Sequence, residues 1–236
     1  MGQQFSKLCC ECFYYSPEPM FELKETMLDG WNPHALNESL ESAKEEVLQH
    51  LNTPEDQFQE LLNKDGYKVL VKEAQGGHAF LSEFSLPFKA QDILDFLRNT
   101  QERQTWDKYI QEIEQVFVHS NIEVVYARIK KILLVSSRDA LVANKLTQLE
   151  KGLLYVSKST EHPKYPEKPN AVRARLEASG YFLEEVPGKT LTNVHFYARG
   201  SFGGSFPESM IKKLAGKAIP KYMSLFTKSL SNRLSS

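Results

Sequence analysis

The residues with the most legible chemistry stand at the start of the chain, Met1-Gly2-Gln3-Gln4-Phe5-Ser6-Lys7-Leu8-Cys9-Cys10-Glu11-Cys12. Gly2 after Met1, with Ser6 four residues on, fits the N-myristoylation pattern, in which removal of Met1 frees the Gly2 amine for acylation. One myristoyl chain gives only marginal, reversible membrane binding, and stable anchoring takes a second signal. Cys9, Cys10 and Cys12 are candidate palmitoylation sites that would supply it. Lys7 adds a charge attractive to anionic lipid, and Phe13, Tyr14 and Tyr15 suit the headgroup region. The expected location is therefore the cytoplasmic face of a membrane, held peripherally by lipid anchors.

Other residue clusters exclude more than they propose. The three cysteines are all in this tail. C-C-x-C lacks the paired spacing of a zinc site, and a body without cysteine has no disulfide framework of the secreted kind. His34, His50, His78, His119, His162 and His195 are scattered, with no metal-ligand spacing. Gly188-Lys189-Thr190 resembles the end of a phosphate-binding loop, but Leu183 stands where the earlier glycine is required. Gly200-Ser201-Phe202-Gly203 is not a nucleophile elbow. No Ser-His-Asp set or carboxylate pair is legible. The expectation is a protein that is not an enzyme and uses no metal or cofactor.

The chain of 236 residues is 41% hydrophobic with a formal net charge of -1. That supports one sizeable core and gives no basic excess pointing to nucleic acid. There is neither a long apolar run of the kind that spans a bilayer nor a secretory signal. A monomer is expected. Charge is unevenly spread: residues 207–236 hold Lys212, Lys213, Lys217, Lys221, Lys228 and Arg233 against Glu208 alone, whereas residues 37–66 hold eight acids and two lysines.

The elements that must position any site follow from periodicity. Residues 1–36 read as an acylated tail and linker, and 37–236 as one folded domain. Leu40, Val47, Leu48 and Leu51, then Phe58, Leu61 and Leu62, fall at helical spacing, with Thr53-Pro54-Glu55 as a second helix start and Lys64-Asp65-Gly66 as its end. Tyr67–Ala74 and His78–Leu86 form a hairpin across Gly76-Gly77, and Ala90–Asn99 a short amphipathic helix. Glu112–Val118 and Ile122–Ile129 form a hairpin at Ser120-Asn121. Extended runs follow at Ala140–Leu149, Leu153–Ser159, Val172–Glu185 and Thr190–Ala198. Ser205 and Glu208 make a capping box for a long last helix. Sequential strands between helices define an α+β protein with an antiparallel sheet. Ala140, Val142 and Leu146, and Ala174, Leu176 and Ala178, alternate with polar residues and mark an apolar sheet face.

Five segments, in this order, resemble the START family of lipid-transfer domains: Arg103-Gln104-Thr105-Trp106-Asp107; Ser137-Arg138-Asp139; His162-Pro163-x-x-Pro166 leading to Ala171-Val172-Arg173-Ala174; Gly203-Gly204-Ser205-Phe206-Pro207; and Ala218-Ile219-Pro220. The resemblance runs from about residue 38 to 230. It implies a helix-grip fold: a sheet of about nine antiparallel strands around a long C-terminal helix, enclosing a tunnel for one lipid (a sterol, phospholipid or ceramide). The implied activity is extraction, presentation or transfer of that lipid at a membrane. The tunnel candidates are Trp106, Tyr126, Val142, Asn144, Leu146, Tyr155, Ala174, Leu176, Met210, Leu214 and Met223. Trp106, Tyr126, Tyr155 and Tyr197 are candidates for an aromatic cage. The family's mobile lid falls near residues 131–139, where Lys130-Lys131-Ile132-Leu133-Leu134-Val135 is basic, then apolar.

The chain departs from the family pattern in two places. Many members place an Arg six residues after the Arg of the Arg-Asp pair; here that residue is Asn144, which offers a phosphate no charge. The acid that usually precedes the glycine before the last helix is absent from Arg199-Gly200-Ser201-Phe202-Gly203. Two other functions fit the same fold: a lipid-gated adaptor that recruits a protein, and a helix-grip hydrolase or cyclase.

Overall fold

A computed structural model of the chain describes residues 27–51, 55–131, 135–203 and 208–235. Helix α1 spans Pro33–Leu51 and buries Leu36, Leu40, Ala43 and Val47, whose spacing of three to four makes one stripe. Pro33 takes the first helical position and Asn32 caps it, its Oδ1 accepting from the Ala35 amide at 3.1 Å. The packed chain thus begins before residue 37. Trp31 is 3% exposed and stacks on His162 at 4.2 Å, so part of the expected linker belongs to the core.

The expected second helix is instead a short 3-10 turn, Glu55–Gln57, followed by strand β1, Gln59–Lys64. Asp65 and Gly66 both take positive φ, 55° and 78°, and set Lys64 opposite Tyr67. That is the geometry of a tight hairpin rather than a helix end. Strands β2 (Tyr67–Ala74) and β3 (Gly77–Leu86) form the expected second hairpin. Helix α2 (Ala90–Arg98) passes directly into α3 (Thr100–Trp106) at Asn99, whose side chain accepts from the Glu102 amide at 3.0 Å. The strands β4 (Ile110–His119), β5 (Ile122–Ile129), β6 (Arg138–Leu149), β7 (Gly152–Ser159) and β10 (Thr192–Ser201) lie where alternation placed them. The run expected at Val172–Glu185 breaks at Ala174, leaving β8 (Val172–Arg173), parallel to β6, and β9 (Arg175–Glu185). Helix α4 spans Glu208–Ser235 and runs through Pro220.

The strand order is β1-β2-β3-β10-β9-β7-β6-β5-β4, all antiparallel neighbours, with β8 beside β6. Each sheet face carries its own core. On one face α1 packs with Leu70, Leu81, Val124, Tyr126, Leu141, Leu154 and Tyr197. On the other, α2, α3 and the end of α4 pack through Phe96, Trp106, Phe226 and Leu230 onto Tyr155, Leu183 and Val194. Alternation assigns the faces residue by residue: Ile122, Val124 and Tyr126 of β5 meet α1, so Glu123, Val125 and Ile129 look toward α4.

Candidate functional site

Between the α4 face of the sheet and α4 lies a cavity of 310 Å³. β2, β3, β9 and β10 supply Tyr67, Val69, Phe84, Tyr181 and Phe196; α4 supplies Ile219, Tyr222 and Met223; Ile110 and Ile129 come from β4 and β5, at the other end of the strand order. Interior strand residues project here at every second position, which is why large apolar and aromatic side chains accumulate on the wall. Polar groups are few: Ser82, Lys68, and the pair Arg103 and Asp107 at the end of α3.

Arg103 and Asp107 are four residues apart on one helical face, and Arg103 Nε donates to Asp107 Oδ2 at 3.2 Å. Asp107 also ends α3, accepting the Tyr109 amide at 3.1 Å. Asp107 is 2% exposed, whereas the Arg103 side chain, deep within the molecule, keeps 29% because it borders the cavity. Burial alone would lower the Arg103 pKa, but its neighbours outweigh burial and the net direction is upward. Tyr222 and Tyr181 are pushed up, burial first, so both stay neutral phenols able to donate. The wall therefore presents a charge pair of zero net charge flanked by hydroxyls.

A second polar group lies on the same face. Glu123, nearly fully buried, accepts four hydrogen bonds: Arg98 Nε at 3.1 Å, Arg98 Nη2 at 3.2 Å, Gln115 Nε2 at 2.9 Å and Tyr155 Oη at 2.5 Å. Arg98 is raised, chiefly by hydrogen bonding to Glu123, and the Tyr155 phenol is pushed well up, by burial first. The neighbouring strand residue is Asn144, whose Oδ1 accepts from Ser157 Oγ at 2.7 Å. The arginine missing at position 144 thus has a counterpart on α2, where Arg98 neutralises the carboxylate.

Of the eleven tunnel candidates, Met223 lines the cavity. Val142, Asn144, Leu146 and Tyr155 project from the same sheet face, with Leu146 and Tyr155 in the α2–α4 core. Trp106 stands behind the wall, stacked on Phe96 at 4.9 Å and edge-on to Phe226. Tyr126 is on the opposite face: its hydroxyl donates to Asp139 and Lys168 Nζ sits 4.6 Å above its ring. Ala178 packs against α1, Leu176 is set off from it by a bulge at Glu177 that pairs it with Gly200, and Ala174 is the break between β8 and β9. Tyr126 is one residue out of step with Val125, which looks toward α4, and the break at Ala174 and the bulge at Glu177 interrupt the alternation read across residues 174–178. The aromatic cage does not assemble, since Tyr126 and Tyr197 lie on the α1 face and Trp106 and Tyr155 on the other. The side chains of Met210 and Leu214, residues 132–134 of the lid, and Gly2, Cys9, Cys10 and Cys12 lie outside the described residues. Among the described residues no cluster of metal-ligating side chains occurs and no helix is long and apolar enough to cross a membrane.

The motif residues outside the cavity clamp the fold. Arg173 donates to both oxygens of Asp139, at 3.0 and 3.1 Å, and to the carbonyls of Tyr165 and Pro166. Arg138 donates to the carbonyls of Phe202 and Gly203. Segments far apart in sequence are thereby tied together at one end of the sheet.

Comparison with known proteins bears out the resemblance. The family model described as START domain matches residues 37–234, and the chain belongs to the START domain family. START domain-containing protein 10 of Mus musculus and of Homo sapiens are each 25% identical over 137 residues, 57% of this chain. The match spans 46% of those relatives, less than half their length. Among solved structures, human StAR-related lipid transfer protein 5 superposes with a TM-score of 0.76 at 18% identity, covering 84% of this chain and 98% of that one. Human STARD10 gives 0.68 at 20% identity, covering 82% and 79%. The order of strands around the C-terminal helix is thus the helix-grip arrangement of these proteins.

Proposed function

We propose that this protein holds one lipid in the cavity under α4 and extracts, presents or transfers it at a membrane surface. The observation that carries this reading is the cavity itself: 310 Å³ of largely apolar space inside the fold, with a charge pair on one wall. Apolar walls around that much space gain when an apolar ligand displaces water from them. A lipid chain gains about 0.8 kcal/mol per buried methylene in such a cavity, much as it does in a bilayer. The two sites nearly balance, so exchange in both directions is accessible. The relatives' printed names, START domain and StAR-related lipid transfer protein, point the same way.

The Arg103–Asp107 pair with Tyr181 and Tyr222 suits a neutral or zwitterionic head group, since the pair has no net charge to offer. Asn144, uncharged beside the already neutralised Glu123, agrees with that choice. Neutral sterol or ceramide and zwitterionic phospholipid remain the candidate classes. In this reading the protein acts by physical partition, without catalysis.

Acylation at Gly2 and at one or more of Cys9, Cys10 and Cys12 would hold the domain at the cytoplasmic leaflet and raise its local concentration there. Native mass spectrometry of protein isolated from eukaryotic cells tests both ideas together. Acyl groups appear as covalent mass, and the cavity ligand as one dissociable lipid per chain. Met223→Trp, which fills part of the cavity, should lower lipid occupancy at least severalfold with thermal unfolding still cooperative. A folded chain that never carries lipid, from any membrane source, would sink the reading.

A further inference from the structure

The described fold begins at Met27, and that point is tied down. Leu28 and Trp31 exchange backbone hydrogen bonds at 2.8 and 2.9 Å. Asp29 pairs with Lys164 at 2.7 Å. Trp31 stacks on His162 and lies 5.6 Å from Phe117 of β4. β4 ends the strand order. Seven residues back along it stands Ile110, about 24 Å away at about 3.4 Å per residue, and Ile110 lines the cavity. Ile129, paired with Ile110, lines it too and is 38% exposed, so the cavity opens on this side. A segment leaving Met27 on the α1 face need only round the β4 edge to reach that opening.

The residues before Met27 are long enough and suitably charged. Residues 2–26 number 25 and reach at most about 80–90 Å, some three times the distance along β4. They hold Glu11, Glu18, Glu22 and Glu25 against Lys7 and Lys24. Lys108, Lys130 and Lys131 stand exposed beside Tyr109 and Ile129, so the opening is basic and its approach complementary to an acidic segment. The cavity suits a single chain. At 310 Å³ it is at the small end of ligand sites, which run from about 300 to 1,000 Å³. Its wall is largely apolar, with Arg103 and Asp107 just ahead of Tyr109 and Ile110. A fatty-acyl amide has the same make-up, one hydrocarbon chain ending in an uncharged donor and acceptor.

We infer that the fatty acyl group read at Gly2 occupies the cavity of its own chain, and that a lipid entering from a membrane displaces it. The inference rests on the acylation and lipid-cavity readings of the preceding section. A tethered acyl group meets the cavity at an effective concentration on the order of millimolar. While inside, it is withheld from the bilayer. Cargo that takes the cavity expels it, and the expelled chain supplies the marginal, reversible anchoring that one myristoyl group gives. Loading and anchoring thereby become one event.

Full-length protein made in bacteria with an N-myristoyltransferase, and fed myristate labelled at its terminal methyl, tests this. In lipid-free protein that methyl should show NMR cross-peaks to the ring protons of Tyr181, Phe196 or Tyr222. Fluorescent hexadecanoic acid should bind Gly2→Ala roughly tenfold more tightly than the myristoylated chain. It should also drive the myristoylated chain onto zwitterionic vesicles and leave Gly2→Ala in solution. Myristoylated Met223→Trp, folded by circular dichroism, should sit on those vesicles without added lipid; if it unfolds, the Gly2→Ala comparison decides alone. Equal affinities in the two chains, or a methyl without ring cross-peaks, overturns the inference, and lipid bound by both leaves the proposed function standing. A transferase that leaves Gly2 unmodified overturns it as well. Methyl cross-peaks to the cavity rings, in a protein whose Gly2→Ala form binds no added lipid, uphold the inference and end the proposed function.

Discussion

Glu123 shows how much of this domain is decided by single buried groups. Its carboxylate is satisfied by four donors, and Arg98 brings the compensating charge. Arg98→Met should therefore cost about 3 kcal/mol in urea denaturation, the usual scale for stripping one partner from a buried pair. Adding Glu123→Gln should restore most of the loss. If the single and double variants are equally unstable, the pair is not what Arg98 provides. At the same scale the sequence was partly legible. Arg103, Trp106 and Asp107 stood out as a motif, and Asn144 as a departure from it. Tyr181, Phe196 and Tyr222 gave no such signal. Tyr181 and Phe196 are aromatics in alternating strands and Tyr222 is one of several apolar residues on the last helix, and only strand register and the placement of α4 show that they share a cavity.

The seat of α1 on the sheet is the element-scale counterpart. Glu46 accepts from Arg199 Nη2 at 2.8 Å and from the Tyr197 hydroxyl at 3.0 Å. His50 stacks on the Tyr197 ring at 4.6 Å. Hydrogen bonding to Arg199 holds Glu46 below its ordinary 4.5, and burial holds His50 below its ordinary 6.5. Both folded-state values are depressed, so in both cases the unfolded chain takes up protons first and stability falls as pH falls. The His50 contribution should fade as pH drops through and below about 6.5, and that of Glu46 below about 4.5. Melts between pH 8 and pH 4 check this; His50→Phe should flatten the upper part of the decline, and a slope unchanged in that variant would refute the assignment. Packing here is tight as well. A Cβ on Gly180 would lie 2.9 Å from Val47 Cγ1, so Gly180→Ala should cost about 1–3 kcal/mol, with part recovered by Val47→Ala. Element boundaries followed what local signals can carry. Turn residues marked the hairpins at Gly76-Gly77 and Ser120-Asn121. β1 was misread because Phe58, Leu61 and Leu62 are too few to separate a period of 3.6 from one of two.

For the whole molecule, the cavity makes ligand and stability one problem. Any lipid that binds the folded chain and not the unfolded one raises stability by mass action. Protein stripped of lipid should therefore melt several degrees lower than protein as isolated, and recover when a ligand of the right class returns. Recovery with many unrelated lipids would show a nonspecific cavity; recovery with none would count against a lipid ligand. The α+β class with an antiparallel sheet was legible from the order of strands and helices, because sequential hairpins admit few sheets; the helix-grip arrangement was legible only through the resemblance to the START family. That the molecule keeps a cavity and does not fill it was not legible, because a core residue and a wall residue follow the same apolar pattern.

Helix α4 forms one wall of that cavity and also packs beside β1, joining the last element of the domain to its first strand. Synthesis therefore runs ahead of enclosure. As the chain leaves the ribosome, every strand is available before the helix that covers their second face. Until α4 docks, Tyr67, Phe84, Tyr181 and Phe196 form an open apolar surface. On the lipid-binding reading, an apolar ligand present at that moment would meet those side chains before α4 covers them.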